Sequence, residues 1–223
     1  MKLAYFTSKQ IKPMAEQLLG ELELQHRRPL TFKRPALLVL DMQDYFLEPA
    51  SHAFVPSAPA LVLGIQQLIE IFRQKELPVI FTQHINTAED AGMMSEWWRD
   101  LITDDHPGAG ISTLFEIGES PVIQKSQYDA FMGTDLDEML ESRSVTDVVI
   151  TGVMTHLCCE TTARSAFMHG YRVWFPVDGS ATYHLEFHRS SLMTLSHGFA
   201  SPVTVDELLA ALSEWTPDSD AGM

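Results

Sequence analysis

The chain has 223 residues, and its 15 Lys and Arg against 30 Asp and Glu give a formal charge of −15. That acidity argues against nucleic acid or an anionic membrane as partner. With 45% hydrophobic and 20% charged residues, general disorder is excluded and the length suits one domain with a sizeable core.

Residues 1–34 form a basic arm. Lys2, Lys9, Lys12, Arg27, Arg28, Lys33 and Arg34 outnumber Glu16, Glu21 and Glu23, a local charge of +4 that leaves −19 for the rest. The arm is expected to lie across acidic surface, its own or a neighbour's. Within it, apolar residues at Met14, Ala15, Leu18, Leu19 and Leu22 predict a short helix over Met14–Leu24. The first twenty residues hold no secretory h-region, and the early apolar run Ala36–Leu40 is far short of the ~20 residues of a spanning helix. A cytoplasmic protein is expected.

Residues 35–216 read as one domain in which strands and helices alternate. ALLVLD (36–41) is a buried strand, and Leu61–Leu77 carries a helical stripe at Leu61, Ile65, Leu68, Ile69 and Phe72. PVIFT (78–82) is a second strand and Pro121–Lys125 a third. Between these two, Asn86–Ser120 is too long for an ordinary connection and suits a cover over a site. A helix over Thr134–Arg143, a strand at Asp147–Gly152 and a helix from about Cys158 to His169, ended by Gly170, come next. Tyr171–Pro176 is a fifth strand, followed by a helix near Phe187–His197, a short strand near Ser201–Thr204, a helix over Val205–Trp215 and a polar tail at 217–223. This alternation predicts a doubly wound α/β domain with a mostly parallel six-stranded sheet and helices on both faces.

In such sheets reactive groups gather at the carboxyl ends of the strands. Asp41, Lys125 and Cys158 meet that condition. Cys158, placed in a first helical turn, would have its thiolate favoured there, whereas Cys159 shares an apolar stripe with Ala163, Ala166 and Phe167. Asp41 against apolar walls would gain proton affinity, as a base requires. Lys125 would favour the thiolate and keep the carboxylate ionised. Each has a plainer reading: a packed thiol, a capping carboxylate, a solvated lysine. The adjacent cysteines have Cα atoms about 3.8 Å apart, too close for an unstrained disulfide.

The segments LLVLDMQDYF (37–46), QKSQYDAF (124–131) and ITGVMTHLCCETTARSAFMHGYRV (150–173) resemble, in order, the isochorismatase-like hydrolases. The resemblance implies a triad of Asp41, Lys125 and Cys158. It also implies a non-proline cis peptide between Val153 and Met154, aiming the Met154 N–H with that of Cys158 into an oxyanion hole. Gln43, Phe46, Trp98, Tyr128 and Phe131 are the expected pocket wall, with core packing as the rival reading of the aromatics. Metal-dependent nicotinamidases carry an Asp-x-His pair after the second strand. FTQHINTAED (81–90) has His84 but no such pair, so no metal and no cofactor are expected, nicotinamide is a weak choice of substrate, and His52 and His84 are the histidines to locate. Siderophore-pathway isochorismatases share the frame but have glycine where Cys158 stands.

The reading is therefore a cysteine-dependent hydrolase cleaving a C–N bond of a small amide or carbamoyl compound through a thioester. The alternatives are a vinyl-ether hydrolase of the isochorismatase type, with Asp41 as acid, and a non-catalytic binding or assembly module. Partners are a small-molecule substrate and, from the family, further copies of the chain as a homodimer or higher homo-oligomer. The eight carboxylates of Asn86–Ser120 face Arg99 alone, and such an acidic cover would disfavour an anionic substrate.

Overall fold

The computed structural model describes residues 2–22 and 28–217. Leu24, expected at the end of the arm helix, and the tail beyond Pro217 lie outside the described residues. Helix α1 (Ile11–Glu21) precedes β1 (Pro35–Leu40), which is followed by the single-turn α2 (Asp44–Leu47). Next come a 3-10 turn (Ala58–Leu61) leading into α3 (Val62–Gln74), β2 (Val79–His84), the single-turn α4 (Met94–Trp97), β3 (Val122–Lys125), α5 (Leu136–Ser142) and β4 (Asp147–Val153). A π turn over Thr155–Cys159 runs into α6 (Glu160–Met168). The chain continues through β5 (Arg172–Pro176), β6 (Ser180–Ala181), α7 (Leu185–Gly198), β7 (Ser201–Val203) and α8 (Val205–Glu214).

Six strands lie in the order β3-β2-β1-β4-β5-β7, and β6 pairs with the end of β4. All these pairings are parallel. The two-residue β6 is the one strand the apolar pattern did not announce, being too short to show alternation. From β1 the chain moves outward through β2 to β3, and from β4 it moves the other way to β5 and β7. Right-handed crossovers in opposite directions place helices on opposite faces. Accordingly α3 packs with α8 and α6 with α7.

The expected stripe of α3 is the buried one: Ile65, Leu68, Ile69 and Phe72, with Leu61 in the preceding turn. Every residue of β1 is buried, and each fully buried Leu contributes about 2 kcal/mol. Thr204 caps α8: its hydroxyl accepts from the Glu207 N–H at 3.1 Å while the Glu207 carboxylate accepts from the Thr204 N–H at 2.8 Å. Phe167 is a correction. Cys159, Ala163 and Ala166 are buried, but Phe167 is 49% exposed, because the stripe along α6 turns away one residue earlier.

The arm lies on its own chain. Ala15 and Leu18 of α1 are buried, Lys12 pairs with Asp206 at 2.8 Å across exposed surface, and Lys2 Nζ reaches the carbonyl of Phe54 at 3.1 Å. Among the described residues, no helix is long and apolar enough to cross a membrane.

Candidate active site

The turning point of strand order falls between β1 and β4, and two of the three expected residues leave the sheet there. Asp41 follows β1 with φ +52°, a left-handed conformation that Asp tolerates better than most residues. Thr82 of β2 secures it: the hydroxyl donates to Asp41 Oδ1 at 2.6 Å and accepts from the Asp41 N–H at 3.2 Å. Beside it, Gly152 of β4 has φ +114°, and a Cβ there would stand 2.0 Å from the Leu40 carbonyl oxygen. Only glycine lets the two backbones close at this point. The Val153–Met154 peptide is cis, and the N–H groups of Leu157 and Cys159 both donate to the Met154 carbonyl. This tight turn delivers Cys158.

Lys125 arrives from the end of β3, whose neighbour is β2. Its side chain reaches over His84, its register partner, and sets Nζ 2.8 Å from Asp41 Oδ2 and 3.4 Å from Cys158 Sγ. It also donates to the Gln127 carbonyl at 3.0 Å. Both side chains of the Asp41–Lys125 pair are fully buried. Burial by itself raises the Asp41 carboxyl, but the adjacent ammonium, His84 and the Cys158 thiol together outweigh it and hold Asp41 below the usual carboxylate range. Burial likewise opposes charge on Lys125, yet Asp41 and Cys158 keep it well above its ordinary value. The resting pair is ionised.

The thiol behaves otherwise. Burial and the Asp41 charge push Cys158 up to about 12, against a smaller opposing pull from Lys125. The depressed value expected of a first helical turn is not found, because Cys158 sits in the π turn that precedes α6, buried beside a carboxylate. For Asp41 the proton affinity that its apolar walls raise is outweighed, and the carboxylate stays ionised beside Lys125, as expected of that lysine. At rest the site holds a neutral thiol next to an ion pair.

Ligand atoms of Asp41, His84 and Cys158 lie within 4.8 Å of one another, a set that resembles a metal site in composition. Lys125 Nζ stands within 3.4 Å of an atom of each. The lysine ammonium thus takes the place among these three groups that a metal ion would need. His52 is not one of these three groups: its Nε2 meets the Tyr45 hydroxyl at 3.3 Å, in the wall of the cavity above the site.

A cavity of about 200 Å³ opens above the thiol, with Cys158 and Met154 in its wall. Phe46, Trp98 and Tyr128 line it as expected, the Trp98 indole N–H donating to the Tyr128 hydroxyl at 2.7 Å. Gln43 and Phe131 do not. The Gln43 amide is fully buried and spent on backbone, donating to the His84 and Ala109 carbonyls and accepting from the His84 N–H. Phe131 stacks on His169 with ring centroids 4.7 Å apart. Tyr45, His84, Tyr183 and Lys2 also line the cavity. Tyr183 and Lys2 lie outside the three motifs, His84 stood out only as a possible metal ligand, and Tyr45 sits inside the first motif without a signal that turns it to the cavity.

The long segment 86–120 does cover the site: Asn86, Met94 and residues 98–102 are in the wall. It is pinned to the turn after β1, with the N–H groups of Asp44, Tyr45 and Ser112 donating to Gly110, Gly108 and Met42. Of its eight carboxylates only Asp100 reaches the cavity, beside Arg99. The acidic cover expected from composition therefore reaches the cavity wall only at Asp100.

Known proteins resemble this chain in sequence and in fold. The family model described as Isochorismatase domain matches residues 35–207. Nicotinamidase 3 of Arabidopsis thaliana is 38% identical over 204 residues, covering 89% of this chain and 98% of that protein. Enterobactin synthase component B of Escherichia coli is 29% identical over 182 residues, 80% of this chain and 64% of that protein. Among solved structures, a cysteine hydrolase from Pseudomonas syringae superposes with a TM-score of 0.79 at 27% identity, covering 84% of this chain and 96% of the other. N-carbamoylsarcosine amidase from Thermoplasma acidophilum gives 0.69 at 25% identity, with 78% and 97% covered.

Proposed function

The chain belongs to the isochorismatase family of hydrolases, and from that premise we propose that it is a cysteine-dependent amidohydrolase acting on a small amide or carbamoyl compound. The observation that carries this reading is the Cys158 thiol in the cavity wall, 3.4 Å from the ammonium of a buried Asp41–Lys125 pair. The similarity to a nicotinamidase and to an N-carbamoylsarcosine amidase supports C–N bond cleavage. The aromatic wall and the volume suit a single ring carrying a carboxamide.

Because the thiol is neutral at rest, its proton leaves as the sulfur attacks. Cys158 Sγ bonds to the carbonyl carbon while the thiol proton passes to Asp41 Oδ2. The Met154 and Cys158 N–H groups receive the oxyanion, and Lys125 balances charge around Asp41 throughout. Collapse breaks the C–N bond, with the Asp41 proton going to the leaving nitrogen. Water then attacks the thioester, giving its proton to Asp41, and the acid departs as the thiol is restored. Self-association into a homodimer or higher homo-oligomer belongs to the same proposal and is read by sedimentation.

Vinyl-ether hydrolysis is favoured by the 29% identity to enterobactin synthase component B, but it needs a protonated Asp41. The ion pair opposes that. Ammonia release from a panel of carboxamides and carbamoyl compounds, set against pyruvate release from isochorismate, decides between the two. Ammonia lost on Cys158→Ser supports the amidase; pyruvate formed equally by Cys158→Ser overturns it.

A further inference from the structure

Lys2 belongs to the basic arm, yet it lines the cavity that holds Cys158. It is fixed there by neutral groups: the carbonyls of His52 and Phe54 and the face of the Tyr183 ring, whose centroid is 3.8 Å away. Neighbouring arm residues tie the same two segments, with the N–H groups of Tyr5 and Phe6 donating to the Ser57 hydroxyl and the Leu3 N–H to the Tyr183 carbonyl. The placement of Lys2 is therefore built, and not the chance reach of a surface chain.

No carboxylate neutralises it among the described residues. Asp100, the one carboxylate in the cavity wall, is engaged by Arg99 and His52, each at 3.6 Å. The floor pair of Asp41 and Lys125 cancels internally. A partly buried cation facing an apolar, aromatic cavity without a counter-charge is a poor arrangement for an empty site and a good one for a bound anion.

We propose that Lys2 is a specificity-determining residue that recognises a carboxylate carried by the substrate in addition to its scissile amide, so that the preferred class is a carboxylate-bearing aryl carboxamide. This deepens the amidohydrolase reading and rests on it. The carboxylate would complete the ammonium's coordination while the ring occupies the aromatic wall. Partial burial gives the contact more weight than a surface ion pair, and rising salt weakens it.

The test compares benzamide with 3- and 4-carboxybenzamide by ammonia release, in wild type, Lys2→Met and Lys2→Arg. Wild type is expected to favour at least one carboxybenzamide in kcat/KM. The ratio of that value to the benzamide value should fall about tenfold in Lys2→Met, as loss of one charge-assisted hydrogen bond implies, and recover in Lys2→Arg. A ratio unchanged within twofold in Lys2→Met overturns the proposal, whatever happens to the absolute rates. Calorimetric binding of the same three compounds to Cys158→Ala, with and without Lys2→Met, separates the two claims. If no amide is hydrolysed but carboxybenzamide binding still depends on Lys2, the amidase reading fails and the anion site stands. If amides are hydrolysed and binding ignores Lys2, the reverse holds.

Discussion

Lys125 Nζ lies 3.4 Å from His84 Nδ1, across the parallel register of β2 and β3. The proton on His84 follows from its other neighbour. Asn86 donates through Nδ2 to the Ser126 carbonyl at 2.8 Å, so its Oδ1 accepts from His84 Nε2 at 2.9 Å. That leaves the Nδ1 lone pair for the lysine. Burial and the Lys125 charge hold His84 below its ordinary value, which keeps the acceptor available. His84→Phe removes it and should cost about 1–3 kcal/mol. Urea denaturation at neutral pH checks this, and an unchanged midpoint would show that the ammonium does not use the imidazole.

Lys125→Met leaves the Asp41 carboxylate buried without its partner. Removing one member of a buried pair costs about 3–5 kcal/mol, and the same change should abolish hydrolysis. Asp41→Leu combined with Lys125→Met removes both charges and should recover much of the stability with none of the activity. Equal unfolding midpoints for the single and double variants would refute this account of the pair.

How much of this was legible in the sequence depended on the range of the interactions. Asp41 and Cys158 stood out because an apolar run and a glycine-bounded strand mark the ends of β1 and β4, and the switch point is a property of strand order alone. Lys125 could be placed at a strand end, but its reach over His84 depends on strand register, which local pattern does not carry. Gln43 looked like a pocket residue because it sits inside a motif. Its amide is consumed by the carbonyls of His84 and Ala109, the second of them 66 residues away. The proton on Cys158 was assigned in the wrong direction, because burial and the Asp41 charge set it and not the helical turn, whereas the ionised Asp41 expected beside Lys125 is what the structure has.

Acid stability carries two opposed signatures. His188 is fully buried, donates from Nε2 to the Val177 carbonyl and accepts at Nδ1 from the Thr155 hydroxyl. Burial lowers it to about 4 from 6.5, so as pH falls from 6.5 to 4 the unfolded chain binds a proton the folded chain refuses, and about 3 kcal/mol is lost. Asp178 accepts from the Val205 N–H at the start of α8, and burial raises it to about 6 from 3.8. Its folded form takes a proton first, so about 3 kcal/mol is present below 3.8 and disappears as pH rises through 6. The two nearly offset each other between pH 4 and 6. Asp178→Asn deletes only the second, and its unfolding free energy should fall far more steeply than wild type between pH 6.5 and 4. Parallel profiles for the two proteins would contradict the assignment.

Thiol reactivity should follow burial and charge. With Cys158 pushed up to about 12 and Cys159 well above its ordinary value and fully buried, alkylation by iodoacetamide should be slow at pH 7 and rise through pH 10 without a plateau. Peptide mapping should place the label on Cys158. A plateau below pH 9 would mean that the thiolate is already formed at rest, and preferential labelling of Cys159 would mean that the cavity does not open where the structure has it.

The central claim is that Cys158 carries the substrate acyl group. The direct measurement is intact-mass and peptide mass spectrometry of acid-quenched reactions with each hydrolysed amide, in wild type and Cys158→Ala. The account predicts an acyl adduct on the peptide containing Cys158 in wild type, with adduct and turnover both lost in Cys158→Ala. Turnover by Cys158→Ala at the wild-type rate would contradict it.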